Sequence, residues 1–118
     1  MVLRKTNLYP KASNTVVVRY VEKSQLKDQV YPLMEAIVAL ANTDGGRIFI
    51  GRKTKNNNEG IPDELKQEYS NSVKDCLGVI QNYVKGFPVE KIDIGWEYSF
   101  HGKDYLVIYV PNLDKTLY

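Results

Sequence analysis

Residues 34–51 read MEAIVALANTDGGRIFIG, and the fold follows from how this stretch changes character. Its first half is helical. With Leu33 just ahead of them, Met34, Ile37, Val38 and Ala41 recur at intervals of three and four, the spacing that lines one face of a buried helix. Asn42-Thr43-Asp44-Gly45-Gly46 then stops the helix. Gly45 or Gly46 takes the left-handed conformation that closes a helix end, at a steric cost no other residue type matches. Arg47 to Gly51 follows as a strand, with Ile48 and Ile50 on one side and Phe49 on the other. A buried helix that turns on a double glycine into a strand, and then meets basic and Asn-rich residues, is an unusual combination.

Working outward towards the N-terminus, Val16 to Val21 is rich in β-branched and aromatic residues and predicts a strand. Ser24 is a candidate N-cap for the first helix, whose buried stripe is Leu26, Val30, Leu33, Ile37 and Ala41. Pro32 falls within that pattern, so the helix is kinked there or starts near it, because proline suits a first turn and disrupts an interior. Residues 1–14 carry Pro10, Ser13 and Asn14 and read as a flexible arm. Towards the C-terminus, Arg52 to Gly60 is a polar connection dense in turn formers. Ile61 to Glu64 opens a second helix with acids in its first turn, where the helix dipole favours them. Its apolar face is Leu65, Tyr69, Val73, Cys76, Leu77, Ile80 and Val84, and Gly86-Phe87-Pro88 breaks it. Lys91 to Phe100 alternates as a half-buried strand. His101 to Asp104 is a turn, and Tyr105 to Val110 is a nearly continuous apolar strand that completes a hairpin before Pro111. The acids of that hairpin, Asp93, Glu97 and Asp104, are expected on its solvent side. The order β, α, β, α, β, β predicts an α+β domain, a mixed sheet of about four strands with two helices packed on it.

Bulk composition narrows the class. A chain of 118 residues is one domain with a single small core, here taken as residues 1–118. An apolar content of 43% and a charged content of 25% are ordinary for a globular chain. The net charge of +2 is too mild to announce nucleic acid by itself. The single cysteine rules out an internal disulfide and fits a reducing compartment, so a cytoplasmic location is expected. Association with an organelle surface would have to come from parts outside this chain. No stretch approaches the roughly 20 apolar residues needed to span a bilayer, and MVLRKTNLYP is not a secretory signal. No membrane contact is expected from this segment. The chain stops at Leu117-Tyr118 without an evident tail, as a fragment of a longer protein would.

The pattern Ala39-Leu40-Ala41-Asn42-Thr43-Asp44-Gly45-Gly46, then Ile50-Gly51, then Gly60-Ile61, resembles the Schlafen-type AlbA_2 domain. The resemblance is specific over residues 36–51 and extends by layout from roughly 15 to 113. It implies a single small α+β lobe whose relatives include RNA endonucleases and nucleic-acid-binding regulators. It also marks Asn42, Gly45, Gly46, Gly51 and Gly60 as the structural motif. Relatives that cut RNA are metal-dependent, with acids in or before the first strand and just after the Ile-Gly of the second. Hard divalent cations need several oxygen ligands to activate water, which is why acids are required there.

This sequence departs from that pattern in both places. Residues 1–21 contain no Asp or Glu, and Ile50-Gly51 is followed by Arg52-Lys53-Thr54-Lys55. Glu22 is the first acid and the weak catalytic candidate. No metal ligands are assigned to this chain. The bland reading of Arg52, Lys53 and Lys55 is a solvated hairpin tip. The family layout instead brings the first two strands together, so that Arg19, Arg47, Arg52, Lys53 and Lys55 form one basic face. Such a face attracts phosphate backbones, or equally an acidic partner surface. Cys76 and His101 lack the ligand spacing of a zinc site, and Cys76 reads as a small hydrophobe on a helix face.

The expectation is a non-catalytic Schlafen-type subunit of an RNA-processing endoribonuclease complex, of the kind that trims small-RNA (piRNA) precursors. It would contact RNA and pair with a related Schlafen-type subunit in a heterodimer or larger complex. This chain would need no cofactor, and any divalent metal, Mg²⁺ or Mn²⁺, would sit in the catalytic partner. The alternatives are a DNA-binding regulatory module of the AlbA_2 type and a metal-dependent RNA endonuclease using Glu22.

Overall fold

The computed structural model describes residues 15–54, 57–98 and 102–112. The arm at 1–14, Lys55 and His101 lie outside the described residues. Strand β1 (Thr15–Val18) leads through a 3-10 helix, Lys23–Gln29, into α1 (Val30–Ala41). Strand β2 (Gly46–Ile50) follows, then a small hairpin of β3 (Arg52–Thr54) and β4 (Asn57–Asn58). Helix α2 (Lys66–Tyr83) precedes the closing hairpin of β5 (Asp93–Glu97) and β6 (Tyr105–Val110). The main sheet has four strands in the order β1-β2-β6-β5, with β1 parallel to β2 and the other pairs antiparallel. The fold is the expected α+β class: a mixed four-stranded sheet with two helices.

The register explains which face each strand residue takes. Val16 lies opposite Ile48, Ile48 opposite Ile108, and Ile108 opposite Ile94. Side chains alternate along a strand, so this row and its even-numbered neighbours point to one side of the sheet. There Ile48, Ile50, Leu106, Ile108 and Val110 form one core with Leu33, Ile37, Leu40 and Ala41 of α1 and Tyr69, Val73, Cys76 and Ile80 of α2. Both helices therefore sit on the same face. The odd-numbered residues Val17, Phe49, Val107 and Gly95 make the central row of the opposite face.

The turn after α1 is built as its chemistry demands. The Leu40 carbonyl accepts hydrogen bonds from the backbone N–H groups of Thr43 and Gly45 at 3.1 and 2.8 Å, and from the Thr43 hydroxyl at 3.0 Å. Of the two adjacent glycines, Gly45 has the left-handed backbone, with φ of 79°. A Cβ at Gly45 would stand 2.6 Å from the Val110 carbonyl oxygen and 2.8 Å from the Asn112 nitrogen. The helix end is thus pressed against the end of β6, and only glycine combines that angle with that clearance.

Several boundaries and placements differ from the expectation. Strand β1 ends at Val18, because the Tyr69 hydroxyl takes over the backbone of Val21, donating to its carbonyl at 2.6 Å and accepting from its N–H at 2.8 Å. Ser24 caps no helix; the chain enters α1 from the 3-10 helix without a side-chain cap, and Pro32 sits in the first turn of α1. The stretch 52–60 is not a plain connection, since it contains the β3–β4 hairpin. Asp104 is not on the solvent side. It is 9% exposed, accepts a hydrogen bond from Lys66 at 2.7 Å, and its carbonyl accepts from the Ile61 N–H at 2.8 Å. Hydrogen bonds to Asp104 and Asp63 hold the Lys66 ammonium up at about 12. Cys76 is buried as expected of a small hydrophobe, and burial pushes its thiol up to about 12.

Candidate functional site

The face of the sheet opposite α1 and α2 brings together Arg47 and Arg52. Arg47 projects from β2 on the same side as Phe49, and its guanidinium carbon lies 5.3 Å from the Phe49 ring centroid. Arg52, from β3, places its guanidinium 4.8 Å from that same centroid and 4.7 Å from the centroid of Tyr105 on β6. Phe49 and Tyr105 meet edge to face at 5.5 Å and 74°. Two cations and two rings therefore form one cluster across β2, β3 and β6. Phe49 is only 8% exposed although α1 and α2 lie on the other face, and Arg47, Arg52 and Tyr105 pack on it. Guanidinium groups are weakly hydrated and planar, so they rest on aromatic faces more readily than an ammonium would.

What fixes these arginines is packing. The Nε atoms of Arg47 and Arg52 are buried and find no acceptor. Both residues are half-buried overall, so the exposure they keep lies away from Nε. Among the described residues, neither guanidinium has a carboxylate within ion-pair distance. Burial first, and then the neighbouring Glu97 carboxylate, push the Tyr109 hydroxyl up, against the pull of nearby Arg47 towards the phenolate.

The β3–β4 hairpin sets where Arg52 and Lys53 stand. Gly51 donates its N–H to the Val18 carbonyl at 2.9 Å, and its own carbonyl accepts from the N–H groups of Glu59 and Gly60, each at 2.9 Å. Gly60 has φ of 87°, and a Cβ there would sit 2.8 Å from the Lys103 Cα. The Ile-Gly and Gly-Ile pairs of the sequence are thus the two feet of this hairpin, one against β1 and one against the turn before β6. Asn42, at the C-terminal cap of α1, donates its N–H to the Val38 carbonyl at 3.0 Å.

Glu59 is the residue that sequence reasoning missed. One carboxylate oxygen accepts a hydrogen bond from the Arg19 guanidinium at 2.7 Å, and the other accepts from the Tyr20 N–H at 2.8 Å. These bonds, that of Arg19 foremost, hold its carboxyl below the ordinary range. Glu59 ties the hairpin to the end of β1 and draws Arg19 to itself. The only signal for it in the sequence was a lone acid in RKTKNNNEG, next to Gly60.

The predicted basic residues accordingly fall into two groups. Arg47 and Arg52 share the Phe49 ring. Arg19 is paired with Glu59, and exposed Lys53 lies near enough to help lower that carboxyl. Glu22 is exposed and opens the 3-10 helix, where its carbonyl accepts from the Gln25 N–H at 2.8 Å. Among the described residues no three His, Cys, Asp or Glu side chains gather closely enough to hold a metal ion. The residues after Gly51 do not fit a divalent cation: a guanidinium and an ammonium stand there, and the nearby acid, Glu59, is paired with Arg19. Among the described residues no helix is long and apolar enough to cross a membrane.

Comparison with known proteins places this geometry in a family. The family described as Schlafen, AlbA_2 matches residues 13–117, which include α1, α2, strands β1 to β6 and both glycine feet of the hairpin. Neither a curated protein nor a solved structure gives a significant match to the chain. With nearly its whole length covered by that match, the chain belongs to the Schlafen AlbA_2 family.

Proposed function

We propose that this chain is a non-catalytic Schlafen-type subunit of an RNA-processing endoribonuclease complex that acts on small-RNA precursors such as those of piRNAs. It holds RNA on its basic face, while a related Schlafen-type partner supplies the acids and the divalent metal. The observation that carries this reading is the cluster of Arg47 and Arg52 on Phe49, with Lys53 beside it in the hairpin. It stands immediately after Ile50-Gly51, where a metal-dependent relative would place an acid. Cations at that point repel a metal and attract a phosphate.

Two features favour a binding role over a solvated surface. Arg47 and Arg52 are held in place with no ion-pair partner among the described residues, so their charge is available to a ligand without first breaking a bridge. They are also ordered by aromatic packing, which lowers the entropy lost on binding.

The test is a titration of short fluorescent RNA with the 118-residue chain at several salt concentrations, beside Arg47→Ala, Arg52→Ala and Lys53→Ala. Each substitution that removes a phosphate contact should weaken binding and reduce the magnitude of the log–log salt slope by about 1. If all three bind as the parent does, this face is not the interface. Tighter binding to DNA of the same sequence would assign the face to a DNA-binding regulator instead.

A further inference from the structure

Resting on the reading of this face as an RNA interface, we infer that it takes unpaired nucleotides, whose bases stack on the arginine-covered platform of Phe49 and Tyr105. The argument lies in how the charges are presented. A surface that only attracts phosphates needs no more than positive charge spread along the path of a backbone. Here the two guanidinium groups are instead laid over a single ring, at 5.3 and 4.8 Å from its centroid, and Arg52 also covers a second ring at 4.7 Å.

Their Nε atoms are buried without an acceptor, so ring contact and not an ion pair holds the heads in place. Arg19 offers the contrast within the same molecule, since its head is spent on Glu59. Guanidinium groups are planar, and bases stack on such planes as they do on aromatic side chains. Beside them Gly95 carries no side chain, the Tyr109 ring passes 3.9 Å from where its Cβ would stand, and the acids of this face, Asp93 and Glu97, stand on β5, with β6 between them and Arg47. Planar groups and positive charge together on a sheet face make a surface on which splayed bases lie while their phosphates meet Lys53 and the arginines. Paired bases are hidden inside a duplex and cannot use it.

Fluorescence anisotropy with the 118-residue chain at low salt decides the matter, using one short RNA in three forms: the unpaired strand, its duplex, and the same strand with abasic riboses. The unpaired strand should bind at least about tenfold more tightly than the abasic strand, which has the same phosphates, and more tightly than the duplex. Arg52→Lys keeps the charge and loses the plane, so it should bring the unpaired strand down to the affinity of the abasic one. Arg47→Lys serves as a second variant should the first alter the fold, which thermal melts will show. Equal affinity for all three ligands overturns base stacking and leaves the phosphate-binding reading standing. Absence of binding to any of them overturns both.

Discussion

At the scale of single residues, Gly45 carries the sharpest constraint. Its φ of 79° is one that a β-branched residue adopts only under strain, and a Cβ would collide with three backbone atoms at 2.6 to 2.8 Å. Backbone cannot swing aside as a flexible side chain can. Gly45→Val should therefore cost more than about 1 kcal/mol, from the left-handed backbone alone and before any clash is counted. Urea or thermal denaturation measures this, and a Gly45→Val protein as stable as the parent would refute the account of the turn. The sequence showed that one of two adjacent glycines must close the helix. It did not show which, because that depends on Val110 to Asn112 lying against the turn, a contact from the far end of the chain. Asp104 was misplaced for a similar reason. An acid beside a turn usually meets water, and what buries this one is Lys66, distant in sequence and pinned between Asp104 and Asp63.

At the scale of elements, the helices and the long strands were legible because they bury a face and the face leaves a period in the sequence. The β3–β4 hairpin leaves none. RKTKNNNEG has no apolar alternation, and the hairpin is held by backbone bonds to Gly51 and by the Glu59 carboxylate. The residues of the basic face were legible as charges, whereas their division into a platform pair and an Arg19–Glu59 pair was not. Phe49 was seen only as the odd residue of its strand, and its role emerges once β2, β3 and β6 lie side by side.

Glu59 gives the hairpin a pH dependence whose sign is fixed. Its carboxyl is held below its ordinary value of 4.5, chiefly by Arg19 and then by the Tyr20 N–H. A folded value below the unfolded one contributes stability that is complete above the unfolded value and is lost as pH falls through the folded one. Melts from about pH 5 down to about pH 3 should show the parent losing more stability than Glu59→Gln, which lacks the titrating group. Because the Arg19 side chain is exposed, the difference should be small beside that of Gly45→Val. Parallel pH profiles for the two proteins would refute this role for Glu59.

At the scale of the whole molecule, among the described residues the sheet ends at β5 and α1 and α2 cover one side. The apolar side chains of the late strands are divided between core and surface. Leu106, Val107, Ile108 and Val110 are buried and Trp96 packs against the core, while Ile94 and Tyr98 remain 36% and 75% exposed. Strand β5 pairs only with β6 among the described residues, so its outer edge offers backbone groups to another chain. Self-pairing of two β5 strands centred on Gly95 would set Asp93 against Glu97 twice, and like charges directly opposite destabilise a sheet. The partner we propose for this edge is therefore a different chain. Light scattering should find this chain monomeric alone and in a one-to-one complex when co-expressed with a Schlafen-type partner, and Tyr98→Glu should weaken that complex. A stable homodimer would contradict this expectation.

The claim that unites these scales is that the basic face holds RNA and does not cut it. The most direct measurement incubates the 118-residue chain with labelled RNA in Mg²⁺ or Mn²⁺, following binding by gel shift and integrity on a denaturing gel of the same sample. The account predicts a shifted, intact RNA, and loss of the shift when Arg47 and Arg52 are both changed to Glu. Metal-dependent cleavage that disappears in Glu22→Ala, or a shift indifferent to both arginines, would contradict it.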